Sequence, residues 1–147
     1  MRYLVDTNVL LRIIDRTSPQ NRVARGSASK LRQDGHELLA TSQNYAELWN
    51  VATRPVSQNG LGLSTAEADR MLRIAERICP LLPDSPAAYP AWRRLVVAYS
   101  VSGVQVHDTR IVAAMLVHGI THILTFNTSD FARFAPEGIA PVDPATV

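Results

Sequence analysis

The sequence predicts an α/β fold: a parallel sheet of short strands covered by helices on both faces. Three observations carry this expectation. Short apolar runs recur along the chain, as strands buried on both faces require. Segments with helical spacing of apolar residues lie between those runs. Caps and breakers punctuate the alternation, and strands alternating with helices indicate βαβ units.

Arg2–Val5 is an apolar run too short for a helix, and it ends at Asp6-Thr7-Asn8, a natural helix cap. A helix is predicted over Val9–Asp15 and another over Asn21–Gln33, stopping near Gly35. Glu37–Thr41 reads as a second strand, with Ser42 capping a helix over Gln43–Arg54 that Pro55 terminates. Val56–Leu63 is a loop containing Gly and Asn. Ser64-Thr65-Ala66-Glu67 is a capping box, and it opens a helix with Ala68, Met71, Leu72, Ala75 and Ile78 on one face. Cys79–Leu82 is expected as a third strand. Ser85 and Pro86 start a helix whose Tyr89, Trp92, Val96 and Tyr99 recur at helical spacing. Val104–His107 is expected as a short strand ending at Asp108. Ile111, Ala114, Met115 and His118 mark a helix face that Gly119 ends. Thr121–Phe126 is a further strand, and Ile139–Val142 an edge strand limited by its prolines.

A length of 147 residues fits one domain, 1–147, able to bury a core without disulfides or a structural metal. With 46% hydrophobic and 19% charged residues, the chain is neither disordered nor of low complexity. The single cysteine, Cys79, excludes an internal disulfide framework and suits a reducing compartment. Only three apolar residues precede Asp6, which leaves no signal-peptide core, and no run approaches the ~18–20 apolar residues of a membrane span. The expectation is a soluble cytoplasmic protein with no membrane partner. Net charge is +2, and all fifteen basic residues but Lys30 are arginine. Arginine binds phosphate through two parallel hydrogen bonds, so this surplus is compatible with nucleic-acid contact. A GC-rich coding sequence explains the same bias.

Ligands of open parallel sheets bind outside the carboxyl ends of the strands. Asp6 follows the first strand, Asp108 the expected Val104–His107 strand, and Asp130 lies four residues beyond Phe126. Glu47 lies about one turn into the helix after Glu37–Thr41. Parallel strands bring all four carboxylates to one edge of the sheet. Carboxylates at close range resist joint ionisation unless a cation neutralises them, and a hard divalent ion such as Mg²⁺ or Mn²⁺ prefers such oxygen ligands. Each acid also has a structural reading: Asp6 and Asp108 as helix N-caps, Asp130 as a turn cap, and Glu47 as a solvated neighbour of its helix's apolar stripe.

Four segments occur in order: Leu4-Val5-Asp6-Thr7-Asn8-Val9-Leu10, Asn44-Tyr45-Ala46-Glu47-Leu48-Trp49-Asn50-Val51, His107-Asp108-Thr109-Arg110-Ile111-Val112-Ala113-Ala114 and Leu124-Thr125-Phe126-Asn127-Thr128-Ser129-Asp130-Phe131. This set resembles the PIN-domain family, and within it the VapC-type toxin ribonucleases of type II toxin–antitoxin pairs. The resemblance implies a three-layer α/β/α domain with a central, mostly parallel sheet of four to five short strands. It implies a Mg²⁺- or Mn²⁺-dependent endoribonuclease, with Asp6, Glu47, Asp108 and Asp130 as acidic ligands and catalytic groups. Thr7, Asn8 and Asn127 take supporting polar roles. Many family members carry aspartate where Asn127 stands, which leaves Asp130 or a three-acid site. An RNA substrate, a cognate antitoxin and a homodimer are implied in the same way.

Other chemistries fit less well. Aspartyl-phosphate enzymes pair their aspartate with a lysine, and Lys30 lies in an early helix. Cys79 reads as a buried small hydrophobe, and His118 and His122 are separated by Gly119 with no paired cysteines for zinc. No Gly-x-x-x-x-Gly-Lys loop or Gly-x-Ser-x-Gly elbow is present. A non-catalytic RNA-binding or scaffold domain is the alternative from another class, distinguished by indifference to Mg²⁺.

Overall fold

The computed structural model describes residues 1–147. Five strands, β1 (Arg2–Val5), β2 (Glu37–Thr41), β3 (Leu81–Leu82), β4 (His122–Leu124) and β5 (Ala140–Val142), form one sheet in the order β3-β2-β1-β4-β5, every neighbouring pair parallel. Leu4 of β1 stands opposite Leu39 on one side and Ile123 on the other. The helices are α1 (Thr7–Ile14), α2 (Asn21–Gln33), α3 (Ser42–Thr53), α4 (Thr65–Ile78), α5 (Ala88–Ala98), α6 (Gln105–Val117) and α7 (Thr128–Phe131).

The pleat of β1 sends alternate side chains to opposite faces. Tyr3 and Val5 pack with Val9, Leu10, Leu48 and Met71 under α1–α4. Leu4 packs with Leu95, Ile111, Met115 and Phe131 under α5–α7. Each face therefore has its own apolar core, and the architecture is the three-layer α/β/α arrangement expected. Full burial of a leucine such as Leu48 or Leu95 contributes about 1.5–3 kcal/mol. No helix is long and apolar enough to cross a membrane.

The order of the strands positions the site. From β1 the chain adds β2 and β3 on one side, whereas β4 and β5 lie on the other. Such a switch point leaves a crevice at the carboxyl ends of the two adjoining strands, here β1 and β4.

Four sequence expectations need correction. Val104–His107 is not a strand: Val104 is the N-terminal boundary of α6, and Gln105–His107 are its first residues. Val104 and Val106 offer the β-branched alternation of a strand, but the segment joins no strand of the sheet, and Val104 is 82% exposed. The expected strand Cys79–Leu82 shrinks to Leu81–Leu82, because Cys79 ends α4 with its N–H on the Ala75 carbonyl. Thr121–Phe126 likewise contracts to His122–Leu124. The cap of α3 is Thr41 and not Ser42: Asn44 sends its side-chain oxygen back to the Thr41 N–H, and Thr41 accepts the Asn44 N–H.

Between α3 and α4 the chain reverses tightly. The Gly60 N–H donates to the Pro55 carbonyl at 3.0 Å, and a Cβ on Gly60 would lie 1.9 Å from the Arg54 carbonyl oxygen. Gly26, inside α2, has open space where its Cβ would be. Gly60→Ala should therefore lower unfolding stability by more than about 2 kcal/mol in urea titrations, while Gly26→Ala should raise it by about 0.5–1 kcal/mol. Equal and small effects at the two positions would contradict this account of the reversal.

Candidate active site

Asp6 leaves β1 and caps α1. Its Oδ1 accepts the Thr7 N–H at 2.8 Å, while Oδ2 accepts from Thr125 Oγ1 at 2.7 Å and Asn8 Nδ2 at 2.9 Å. The Asp6 N–H donates to the Leu124 carbonyl at 3.0 Å, tying the exit of β1 to the end of β4. Asn8 completes this clasp, because its Oδ1 accepts the Phe126 N–H at 3.1 Å. Capping and site placement are therefore two aspects of one arrangement: the bonds that start α1 also aim the Asp6 carboxylate at the β1–β4 crevice.

Glu47 comes from the second turn of α3 and is held at both oxygens. Oε2 accepts from Thr7 Oγ1 at 2.7 Å, and Oε1 accepts from Gln43 Nε2 at 2.9 Å. Thr7 is itself oriented by Asn44 Nδ2 at 3.1 Å. The fully buried Asn44 thus links the α3 cap to the Thr7–Glu47 bond. Gln43 Nε2 also donates to the His107 carbonyl at 2.8 Å, joining α3 to the first turn of α6.

Asp108 reaches this edge from that turn of α6, not from a strand end, and it does not cap the helix. Asp130 lies in the short α7 and is exposed, its N–H on the Asn127 carbonyl at 3.0 Å. The fields of the four acids overlap. Burial, then the charges of Asp6, Asp130 and Glu47, push the Asp108 carboxyl up to about 6, with only the His107 charge opposing. Asp6 is raised mainly by burial and secondarily by Glu47 and Asp130, against the lowering effect of its bonds from Thr125 and Thr7. No three acidic, histidine or cysteine side chains close on a common point at ligand distance. The carboxylates are neighbours in charge, not a preassembled cage.

This donor set fits a hard divalent cation. All four groups offer oxygen, and Asp6 and Asp108 hold protons more tightly than usual, chiefly through burial and then through neighbouring carboxylates, a repulsion that a cation relieves.

Of the supporting residues expected from the sequence, Thr7 and Asn8 contribute side chains. Asn127 joins through its backbone N–H, which donates to Thr125 Oγ1 at 3.0 Å. Thr125, Gln43 and Asn44 were not anticipated. Thr125 had a legible signal, since it follows β4 as Asp6 follows β1; the Gln43 contact depends on the approach of α6 and had none. Among the arginines, Arg12 donates to the Asn8 carbonyl at 2.9 Å and lies 5.8 Å from the centre of the Phe126 ring. Arg133 donates to Gln105 Oε1 at 2.6 Å. Cys79 is fully buried and its thiol is pushed up to about 12 by burial, which makes it a poor nucleophile.

The raised Asp108 carboxyl has a signed consequence for stability. The folded chain binds this proton more tightly than the unfolded one, so stability falls as pH climbs from 3.8 to about 6 and the loss is complete above that. In chelator, Asp108→Asn should therefore raise the melting temperature at pH 8 and leave it nearly unchanged at pH 3.5. A fall at pH 8 would show that the carboxylate is structurally required.

Residues 3–136 match the PIN domain family. No curated protein matches the sequence. Solved structures match over almost the whole chain. VapBC2 from Rickettsia felis bound to a DNA fragment from its promoter gives a TM-score of 0.72 at 14% identity, covering 97% of this chain and 98% of that one. FitAcB from Neisseria gonorrhoeae gives 0.69 at 20% identity, covering 100% of both chains. A toxin–antitoxin complex from Klebsiella pneumoniae gives 0.65 at 20% identity, covering 97% of both. At these identities the likeness is one of fold. With the match over residues 3–136, it establishes that the chain belongs to the PIN-domain family.

Proposed function

We propose that this chain is a Mg²⁺- or Mn²⁺-dependent endoribonuclease that hydrolyses RNA phosphodiester bonds and serves as the toxin of a toxin–antitoxin pair. The observation that carries the reading is the gathering of Asp6, Glu47 and Asp108 at the carboxyl edge of a parallel sheet, joined through Thr7 and Gln43, with Asp130 at the rim. An uncompensated cluster of this kind destabilises a fold and is retained where a cation and a phosphate use it.

Asp6, Glu47, Asp108 and Asp130 are the groups that would hold the cation. When bound, it supplies the positive charge that lowers the pKa of the attacking water and steadies the leaving oxygen. The protein's own part is orientation. Thr7, Asn8 and Thr125 fix both oxygens of Asp6, and Thr7 and Gln43 fix both oxygens of Glu47, so neither carboxylate must reorganise during the reaction. Asp130, exposed at the rim, is placed to position the water. In the balanced step, the water oxygen bonds to phosphorus, the bond from phosphorus to the leaving oxygen breaks, and a proton passes to that oxygen.

The same reading supplies the partners. One of the matching structures is a toxin–antitoxin complex, and a cognate antitoxin covering the acidic edge is the corresponding partner here. A homodimer belongs to the same reading. An unpaired Cys79 suits the reducing environment of the cytoplasm, where the pair is proposed to act.

Asp6→Asn preserves shape and the cap acceptor while removing charge. It should abolish Mg²⁺-dependent cleavage of single-stranded RNA, by at least about a hundredfold on the scale of losing one electrostatic group, with the circular dichroism spectrum unchanged. Cleavage at the wild-type rate by the purified variant would defeat the assignment. RNA binding without cleavage, indifferent to Mg²⁺, would favour a non-catalytic RNA-binding domain.

A further inference from the structure

A cavity of about 480 Å³ lies among α3, α5, α6 and the segment following β3, and Gln43 connects it to the acidic site, none of whose four carboxylates lines it. Gln43 belongs to both places: it lines the cavity while its amide holds Glu47 and the His107 carbonyl. Arg110, two residues beyond Asp108 on α6, lines it as well. The size is within the ~300–1,000 Å³ usual for small-ligand sites.

The walls have the chemistry of base recognition. Tyr89 and Trp92 lie one turn apart on α5 with rings stacked at 29° and centroids 6.0 Å apart. Trp92 is pinned by its indole N–H, which donates to the Val106 carbonyl at 2.9 Å. Tyr89 is 64% exposed, so its ring is an open face. Asp84, lining the same cavity, accepts from Ser42 Oγ at 2.6 Å and presents a fixed acceptor. An aromatic platform, an acceptor and an arginine around one cavity match a planar ring with N–H groups on its edge and a phosphate attached. Single-stranded RNA is read in this way, by splaying out a base, stacking it and bonding its edge.

We propose that this cavity is a subsite for one unstacked nucleobase of the RNA strand, next to the phosphate cut at the acidic edge. Tyr89 and Trp92 form the stacking wall, Asp84 accepts from the base edge, and Arg110 meets the adjoining phosphate. The identity of the occupant rests on the ribonuclease reading; the chemistry of the cavity rests on the lining residues.

The test uses ribonucleoside 5′-monophosphates and the two indole N–H signals of the ¹⁵N-labelled protein, from Trp49 and Trp92. Trp49 packs against the core on the other face of the sheet and serves as the internal control. Titration should shift the Trp92 signal and leave that of Trp49 in place. Tyr89→Ala should weaken the apparent affinity by at least about fivefold, on the scale of losing one base–aromatic stack, and Tyr89→Phe should retain it. An unmoved Trp92 signal overturns the proposal, as does equal affinity in Tyr89→Ala. So does a variant that changes only the sedimentation coefficient, which would make this face a protein–protein contact. RNA cleavage by the wild type, measured alongside in Mg²⁺, separates the two readings: a shifting Trp92 signal without cleavage sinks the nuclease assignment and leaves the subsite standing.

Discussion

A buried negative charge at the end of β1 is the constraint on which the rest depends. Asp6 can stay within the fold only because Thr7, Asn8 and Thr125 all donate to it. Those donors come from the first turn of α1 and the residue after β4, so satisfying one carboxylate also locks the β1–β4 junction. Hydrogen bonds to a charged group contribute about 1.5–3 kcal/mol each. The junction is thereby fixed by several hydrogen bonds, where a site that must hold several like charges needs to be held.

From that point the arrangement extends outward through shared residues. Thr7 gives its backbone N–H to Asp6 and its hydroxyl to Glu47. Asn44 supports Thr7 while closing the cap of α3, and Gln43 passes from Glu47 to α6. Three helices and two strands are thereby brought into register around one edge. Asp108 has no such side-chain support, and burial together with the charges of Asp6, Asp130 and Glu47 raises its proton affinity, with the His107 charge opposing.

Much of this was legible beforehand, for identifiable reasons. The core strands β1 and β2 are buried on both faces and so appear as unbroken apolar runs; their bounds were read correctly. Val104–His107 misled because four residues with two β-branched side chains do not distinguish a strand from the first turn of a helix. Even so, Asp108 belongs to the acidic edge, since the start of α6 lies where a strand end had been expected. Asp6 and Glu47 stood out through the shared sheet edge and the family resemblance, since position alone also allowed a helix cap and a solvated glutamate. Asn44 and Gln43 did not, because an uncharged polar residue acquires its role only when a partner distant in the chain arrives; Thr125 had a signal in its place directly after β4. The Tyr89–Trp92 pair was visible as a helical repeat, but spacing does not show exposure, and only Leu95 is fully buried on α5.

The central claim is that four carboxylates from separate elements serve one cation. Crystals grown with Mn²⁺ and measured at its absorption edge test this directly. The account predicts an anomalous peak bounded by Asp6 and Asp108, with Glu47 or Asp130 completing the oxygen ligands at about 2.0–2.3 Å. A fully ordered Mn²⁺ bound elsewhere, with the Asp6 and Asp108 side chains pointing apart, would contradict it.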